Sequence, residues 1–207
     1  MINGGYIDIT SVAKGITAGW DIDEDAETSS TSDDPSPYVE INNGVITITT
    51  TGTPYEYVSA GTTVSCSPEG IEGKSDLTIN SGYLTINTTD DALNAGEAIV
   101  INGGYIYCVS SDNDAIDANG TLTIAGGVIV AIGASVPEGA FDCDQNTFAI
   151  KGGTFVGIGG ALSTPTASAC SQNAVILGSV TKGLTLALQA DDTVPFAFTI
   201  PQSYETR

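Results

Sequence analysis

The sequence predicts an all-β fold, a right-handed parallel β-helix with about 22 residues per coil. A glycine-centred turn recurs six times, apolar residues alternate with other residues on both sides of it, and a second turn with an apolar centre follows most copies. The copies of the first turn are INGG (2–5), INNG (41–44), INSG (79–82), INGG (101–104), IAGG (124–127) and IKGG (150–153).

Alignment of the six copies on their last glycine produces columns of apolar residues. The position three residues before that glycine holds Ile2, Ile41, Ile79, Ile101, Ile124 and Ile150. Two residues before that column lie Val39, Leu77, Ile99, Leu122 and Phe148. Two residues after the glycine lie Ile7, Ile46, Leu84, Ile106, Ile129 and Phe155. A period of two predicts strands whose apolar side chains face the interior. The next inward position holds Cys108 in the fourth copy, and we expect this residue to be a buried small apolar side chain.

The second turn supplies a further interior column. It reads KGITA (14–18), EGIEG (69–73), DALNA (91–95), DAIDA (114–118) and GAFDC (139–143), each with an apolar residue at its centre. Two strands and a third short side per repeat match one coil of a parallel β-helix. The hexapeptide period of the left-handed type is missing, which favours the right-handed type.

The repeat also predicts the domain organisation. Its first two spacings are 39 and 38 residues, which predicts loops inserted on the first two coils, at 21–37 and 50–63. After Gly160 the repeat fades, and the alternating stretches 185–189 and 196–200 predict two strands beside or over the last coil. We therefore expect a single domain over 1–207, with coils over 1–160 and C-terminal strands within 161–207.

Composition restricts the possible partners. The chain has 25 Asp and Glu, 5 Lys and Arg and no His, for a formal net charge of −20. This charge disfavours nucleic acid and anionic membranes as direct partners and favours divalent cations. Carboxylate oxygen favours calcium over zinc, although acidity that serves only solubility is the alternative.

Cysteine and hydropathy patterns exclude other classes. Four cysteines occur without CxxC spacing, so no zinc or redox motif is indicated, and their pairing stays open. No apolar run reaches the length of a membrane span, and no signal peptide follows Met1. Any export signal is expected to lie outside this chain.

Acidic residues of the second turns are predicted to stack along one edge, where like charges on successive coils call for a cation. We predict one to three calcium ions there. The candidate ligands are Glu69, Glu72, Asp90, Asp91, Asn94, Asp112, Asp114, Asp117, Asp142 and Asp144. The alternative is that they are solvated turn residues, because Asp is common in tight turns.

Outward tyrosines form a second candidate site. Tyr6, Tyr83 and Tyr105 each follow the turn glycine by one residue, and Tyr107 shares a strand with Tyr105. Flat rings on a sheet face can stack on sugars. The alternative is that tyrosine simply suits an exposed strand and stacks on its neighbours.

These strings carry a family resemblance. With KGITA, EGIEG, DALNA, the stretches 110–133 and 141–160, and STPTAS (163–168), the chain resembles bacterial carbohydrate-binding, pectate-lyase-like β-helix proteins over nearly its full length. The resemblance implies a secreted or surface-anchored right-handed β-helix with calcium in its acidic turns, which binds plant cell-wall polysaccharides such as polygalacturonate and cellulose. Members usually carry further coils before the first one here and a further strand after the last, so the chain is expected to be an internal segment of a longer protein.

Three functions follow as hypotheses. The leading one is a non-catalytic extracellular module that binds polysaccharide through calcium. The second is a structural or adhesive subunit whose coils stack end to end, and the third is a calcium-dependent pectate lyase. A lyase needs a basic residue beside the calcium, yet only Lys14 and Lys74 lie near the acidic turns. Each is more simply an ion-pair partner or a solvated turn residue. No catalytic residue is predicted.

Overall fold

A computed structural model of the chain describes residues 1–19, 36–161, 163–190, 193–201 and 203–204. These residues form β-strands and one 3-10 turn. In chain order the elements are β1 (Tyr6–Ser11), β2 (Ile16–Ala18), β3 (Val39–Ile41), β4 (Val45–Thr50), β5 (Tyr55–Ser59), β6 (Thr62–Cys66), β7 (Ile71–Gly73), β8 (Asp76–Ile79), β9 (Tyr83–Thr88), β10 (Leu93–Ala95), β11 (Ala98–Ile101), β12 (Tyr105–Ser110), β13 (Ile116–Ala118), β14 (Thr121–Ile124), β15 (Val128–Ile132), β16 (Phe148–Ile150), β17 (Thr154–Ile158), the 3-10 turn Ala167–Ala169, β18 (Thr185–Ala190) and β19 (Thr193–Thr199). Within the described chain, no helix is long and apolar enough to cross a membrane.

Three parallel sheets contain most of the strands. The long sheet has the order β1-β4-β9-β12-β15-β17, the turn sheet has the order β2-β7-β10-β13, and the third sheet has the order β3-β8-β11-β14-β16. The chain passes from the long sheet to the turn sheet to the third sheet and then returns. Each strand of these three sheets therefore pairs with strands one repeat away rather than with its neighbour in sequence. The all-β fold with parallel sheets that the sequence predicts is confirmed.

The register confirms the predicted apolar columns. Ile106 lies opposite Leu84 on one side and Ile129 on the other, and Ile101 lies opposite Ile79 and Ile124. The side chains of these columns pack into one buried cluster between the three sheets. Cys108 is fully buried within it, as expected. Alternation along each strand thus decides which residues enter the core.

The recurring glycine has a steric cause. Gly5, Gly44, Gly82, Gly104, Gly127 and Gly153 all adopt positive φ. At Gly104, where φ is +99°, an added Cβ would also lie 3.0 Å from the carbonyl oxygen of Gly82 in the preceding repeat. Only glycine combines this backbone conformation with so close a neighbour.

Asparagine in the same turn forms a ladder that our sequence interpretation did not identify. The Asn42 side-chain amide donates to Asn3 Oδ1 at 2.9 Å, Asn80 donates to Asn42 at 2.7 Å, and Asn102 donates to Asn80 at 2.8 Å. The fifth and sixth copies hold Ala125 and Lys151 at this position, so the ladder ends there. It stabilises the stacking of the first four turns.

The two predicted insertions have different outcomes. Most of 21–37 lies outside the described residues. The stretch 50–63 is not a loop as predicted, because it contains most of an antiparallel hairpin of β5 and β6. Residues of this segment alternate on the two faces of the hairpin, and Ala60 and Gly61 at its turn both have positive φ. Two such residues are typical of the tight turn that joins hairpin strands.

The C-terminal strands form as predicted. β18 and β19 pair antiparallel, and side chains of this hairpin pack on the outer face of the long sheet, against Val130, Ile132 and Ile158. The Tyr204 hydroxyl donates to the carbonyl of Gly133 at 2.8 Å. The hairpin therefore covers the aliphatic end of that face.

Truncation of a core column residue should destabilise the protein strongly. Ile101→Ala removes a fully buried side chain between two neighbouring repeats, and we expect the free energy of unfolding to fall by about 2–5 kcal/mol. Urea unfolding measures this change. Ile176→Ala is the matched control, since Ile176 is 55% exposed, and it should change stability by less than about 1 kcal/mol. Equal losses in the two variants would contradict this assignment of the core.

Candidate functional site

The register of the turn sheet sorts the predicted acidic residues into two columns. Thr17 lies opposite Glu72, Glu72 opposite Asn94, and Asn94 opposite Asp117, while an isolated bridge joins Asp117 to Asp142. Those residues form the first column. Backbone hydrogen bonds in the same register place Lys14, Glu69, Asp91 and Asp114 in the second column. We call the acidic edge the set Glu69, Glu72, Asp91, Asn94, Asp114, Asp117 and Asp142. Equivalent residues on it are about 4.8 Å apart, the spacing of paired strands.

Two lysines neutralise one end of the acidic edge. Lys14 contacts the carboxylate of Glu69 and lies 3.0 Å from that of Glu72, and Lys74 also contacts Glu72. The Thr17 hydroxyl donates to Glu72 at 2.8 Å. Burial by itself would raise the pKa of Glu72, but the bonds from Lys74 and Thr17 outweigh it, so that the pKa is lowered. Both lysines are ion-pair partners, as the sequence suggested.

The other end of the acidic edge has no such partner. Asp114, Asp117 and Asp142 each place a carboxylate oxygen within 4.8 Å of the other two, and among the described residues no lysine or arginine forms an ion pair with them. Burial raises the pKa of Asp114 to about 7. Burial also raises the pKa of Asp117 to about 7, with further contributions from the charges of Asp142 and Asp144. Among the described residues, no lysine or arginine offsets the negative charge of this group.

Asp91 occupies the middle of the acidic edge and is almost fully buried. Its carboxylate accepts hydrogen bonds from the Asn94 side chain at 3.0 Å and from the Asp114 amide at 3.1 Å. Burial, followed by the charge of Asp117, raises its pKa to about 9. A carboxyl in this position is neutral at pH 7 unless a cation stabilises its charge.

The remaining predicted ligands lie beside the two columns. Asp90 is buried one residue before Asp91 and accepts a bond from the Asn113 side chain at 2.6 Å. Asp144 is exposed with φ of 49°, and its amide donates to Asp142 at 3.4 Å. Asp112 is an exposed turn residue outside the columns. The ten predicted calcium ligands therefore differ in burial, in hydrogen-bond partners and in their position relative to the two columns.

One partner of the acidic edge was missed from the sequence. The Ser163 hydroxyl donates to Asp142 Oδ1 at 2.7 Å. Ser163 lies 21 residues after Asp142, about one repeat later, so continuation of the repeat count past Gly160 could have identified it. The repeat motif itself is lost in this stretch, which concealed the position.

The predicted tyrosines lie together on the outer face of the long sheet. Tyr6, Val45, Tyr83 and Tyr105 occupy one row across neighbouring strands. The rings of Tyr83 and Tyr105 stack with centroids 4.9 Å apart and planes 3° apart, and the residues are 58% and 55% exposed. Tyr107 is exposed two residues further along β12. We call Tyr6, Tyr83, Tyr105 and Tyr107 the tyrosine row.

The tyrosine row and the acidic edge are separate surfaces. Tyr105 begins β12 and Ser110 ends it, so a strand length of about 17 Å lies between the stacked pair and the turn that leads to Asp114, and about 10 Å between Tyr107 and that turn. The C-terminal hairpin packs on the strands at the far end of the sheet and contacts Val130 and Val156 rather than the stacked pair. The tyrosine rings therefore remain accessible.

Comparison with known families then decides the assignment. The family model described as carbohydrate-binding domain-containing protein matches residues 1–115, more than half of the chain. The chain belongs to this family. No curated protein and no solved structure matches the chain.

This carbohydrate-binding domain family supports a carbohydrate-binding role and a polysaccharide partner, and it points to a non-catalytic protein. The matched residues include the tyrosine row, both lysines and the acidic edge as far as Asp114. Asp117 and Asp142 lie beyond the match. The strand register that pairs Asp117 with Asn94 connects the part of the acidic edge inside the family match to the part beyond it.

An apolar cavity near the C-terminal end of this carbohydrate-binding domain is a poor alternative site. Its lining includes Phe148, Phe155, Ile176 and Tyr204. None of the predicted ligands or predicted sugar-stacking tyrosines lines it. A binding pocket normally adds a few convergent polar groups to its apolar wall, so we place the candidate site on the two outer surfaces instead.

The raised carboxyl pKa values predict a specific dependence of stability on pH in the absence of metal ions. The pKa of Asp in the unfolded chain is about 4, whereas Asp114 and Asp117 have pKa values of about 7 in the fold. Between these values the folded state binds more protons than the unfolded state. The free energy of unfolding in chelator should therefore fall as pH rises from about 4 to about 7.

Urea unfolding at a series of pH values in chelator measures this decrease. The double variant Asp114→Asn, Asp117→Asn should show a shallower decrease, because its amides do not titrate. Asp8→Asn, at an exposed position on the long sheet, is the control and should keep the parent slope. An unchanged slope in the double variant would contradict the raised pKa values.

Proposed function

We propose that the chain is a non-catalytic extracellular module that binds plant cell-wall polysaccharide of the polygalacturonate or cellulose type, with calcium held in its acidic turns. We further infer that the three parallel sheets are the sides of a right-handed parallel β-helix. The regular passage of the chain from sheet to sheet supports this fold. The one observation that carries the function is the stacked, exposed pair Tyr83 and Tyr105.

The stacked pair is suited to sugar. Two nearly coplanar rings, with centroids 4.9 Å apart, form one flat apolar surface on the sheet. Pyranose rings have an apolar face of C–H groups that can lie on such a surface, while their hydroxyls remain hydrated or bond to polar neighbours. Tyrosine adds a phenolic hydroxyl as a hydrogen-bonding group. Tyr6 and Tyr107 extend the same face.

The donor set of the acidic edge fits calcium. Calcium binds oxygen ligands at about 2.3–2.6 Å, and the oxygens of Asp114, Asp117 and Asp142 are close enough to one another to share one ion. Burial raises the pKa values of Asp114 and Asp117, and no described lysine or arginine forms an ion pair with either carboxylate. At the opposite end the Lys14 ammonium group already provides the positive charge. We therefore place calcium at the Asp114 end and not between Glu69 and Glu72.

Calcium would also account for an acidic polysaccharide as ligand. A chain with a formal charge of −20 repels polyuronate at low ionic strength. A cation shared between a protein carboxylate and a uronate carboxylate removes this repulsion. A neutral glucan needs no such bridge, so the two ligand types should differ in their response to chelator.

Lyase activity is less well supported. Proton abstraction beside a uronate carboxylate needs a neutral base. Burial would lower the pKa of Lys14, but its bonds to Glu69 and Glu72 outweigh this effect and raise the pKa. Lys14 therefore remains protonated at neutral pH. Lys74 is paired with Glu72.

End-to-end self-association is a second candidate function. Among the described residues, no strand pairs with the outer edge of β1 or of β2. Ile7 and Ile9 are only partly buried there, whereas their equivalents Ile46 and Ile48 in the next repeat are fully buried. Such an edge can accept another strand.

Removal of one carboxylate should weaken calcium binding. Asp117→Asn keeps the shape of the side chain but removes its charge, and we expect calcium affinity to fall by about tenfold or more. Isothermal titration of chelator-treated protein measures this change. Asp8→Asn removes one charge from the long sheet and should leave affinity nearly unchanged. Equal affinities in the two variants, or no calcium binding by the parent protein, would contradict the site.

Loss of the stacked rings should weaken polysaccharide binding. The double variant Tyr83→Ala, Tyr105→Ala should bind pectin or cellulose about tenfold more weakly, because the flat apolar surface is lost. Pull-down on both polymers, with and without chelator, measures the change. Tyr38→Ala is the control, because Tyr38 is also exposed but lies just before β3 on a different sheet. Unchanged binding by the double variant would contradict the role of the tyrosine row.

A further inference from the structure

The β5–β6 hairpin is an ordered element with little share in the core. All five residues of β5 are exposed, and no residue of either strand belongs to a buried cluster. An isolated two-stranded hairpin gains little stability by itself. Its side chains are therefore available for a role other than packing.

Two tyrosines of β5 share one face of this hairpin. Tyr55 and Tyr57 are 51% and 54% exposed, and their ring centroids are 5.8 Å apart with planes 30° apart. They lie opposite Cys66 and Val64 on β6. Glu56 and Val58 alternate with them and point to the other face. The hairpin thus has one aromatic face and one face without aromatic residues.

The base of the hairpin is fixed beside the acidic edge. The Thr89 hydroxyl donates to the Gly52 carbonyl at 2.5 Å, and the Thr50 hydroxyl donates to the Pro68 carbonyl. Thr89 directly precedes Asp90, and Pro68 directly precedes Glu69. An added Cβ on Gly52 would lie 1.8 Å from the Val12 carbonyl oxygen, so the chain enters the hairpin through close backbone packing.

We propose that the β5–β6 hairpin is a second carbohydrate-binding element, in which Tyr55 and Tyr57 stack on pyranose rings of the same polysaccharide that the tyrosine row binds. This inference rests on the proposed function and adds a second contact site to it. The family match over 1–115 includes the whole hairpin. Two contacts on one polymer raise its apparent affinity, because the second contact forms at high effective concentration.

The size of the aromatic face favours sugar over a protein partner. Two tyrosines can bury at most about 500 Å² together. A stable protein interface needs about 800 Å² from each partner. The flanking Ser59 and Thr62 on the same face are small and polar, which suits hydroxylated ligands. One or two sugar rings match this patch.

The test uses the full chain in four forms: parent, hairpin variant (Tyr55→Ala, Tyr57→Ala), row variant (Tyr83→Ala, Tyr105→Ala) and the quadruple variant. Binding to pectin and cellulose is measured by affinity electrophoresis. We expect the hairpin variant to bind about threefold to tenfold more weakly than the parent. The row variant should keep residual binding that the quadruple variant loses. Val58→Ala, on the opposite face of the hairpin, is the matched control that should bind like the parent. Tyr55→Phe, Tyr57→Phe keeps the aromatic rings and should recover most of the binding that the hairpin variant loses.

The outcomes separate the two proposals. If the hairpin variant binds like the parent, and the quadruple variant like the row variant, the hairpin proposal is overturned while the tyrosine row stands. If only the hairpin mutations reduce binding, the hairpin proposal stands and the tyrosine row is refuted. Absence of binding by the parent protein to either polymer refutes both. Circular dichroism of each variant verifies that the fold is retained, which is expected because β5 does not contact the buried core.

Discussion

Parallel backbone pairing between residues one repeat apart is the constraint on which this structure depends. Each backbone N–H and C=O of an inner strand must find a partner, and here the partners lie in the equivalent strands of the preceding and following repeats. Equivalent residues are therefore neighbours, about 4.8 Å apart. A residue type that recurs in the sequence becomes a column in space. The isoleucine columns of the core and the Asn3 to Asn102 ladder follow directly from this arrangement.

The same pairing that stabilises apolar columns imposes a cost on acidic ones. Carboxylates that recur in the second turn are held beside one another, and their repulsion increases where they are buried. The chain meets this cost in two ways. At one end Lys14 and Lys74 supply positive charge to Glu69 and Glu72. At the other end no described lysine or arginine pairs with Asp114 or Asp117, and burial raises their pKa values. A calcium ion bound there would act as the lysines do at the first end.

The outer face of the long sheet is divided by the same register. Its later strands present aliphatic residues such as Val130 and Ile158, and the C-terminal hairpin covers them. Its earlier strands present the tyrosine row, which stays open because that hairpin packs elsewhere. An exposed aromatic surface thus remains where the apolar cover ends. We propose it as the sugar contact of this chain, which belongs to a carbohydrate-binding domain family.

The sequence alone determined the strands of the repeat, their register and the core, because a period of two with a recurring glycine permits only one alignment of Ile79, Ile101 and Ile124. It also identified the turns that hold the carboxylates. Only the tertiary structure decided which of those carboxylates have a positively charged partner. Glu69 and Asp114 occupy equivalent positions in the repeat, yet Glu69 is paired with Lys14 from another repeat and Asp114 is not. It likewise revealed that 50–63 contributes to a hairpin. Side-chain pairing between repeats and burial both depend on residues distant in sequence, and the pattern of one chain segment does not contain those residues.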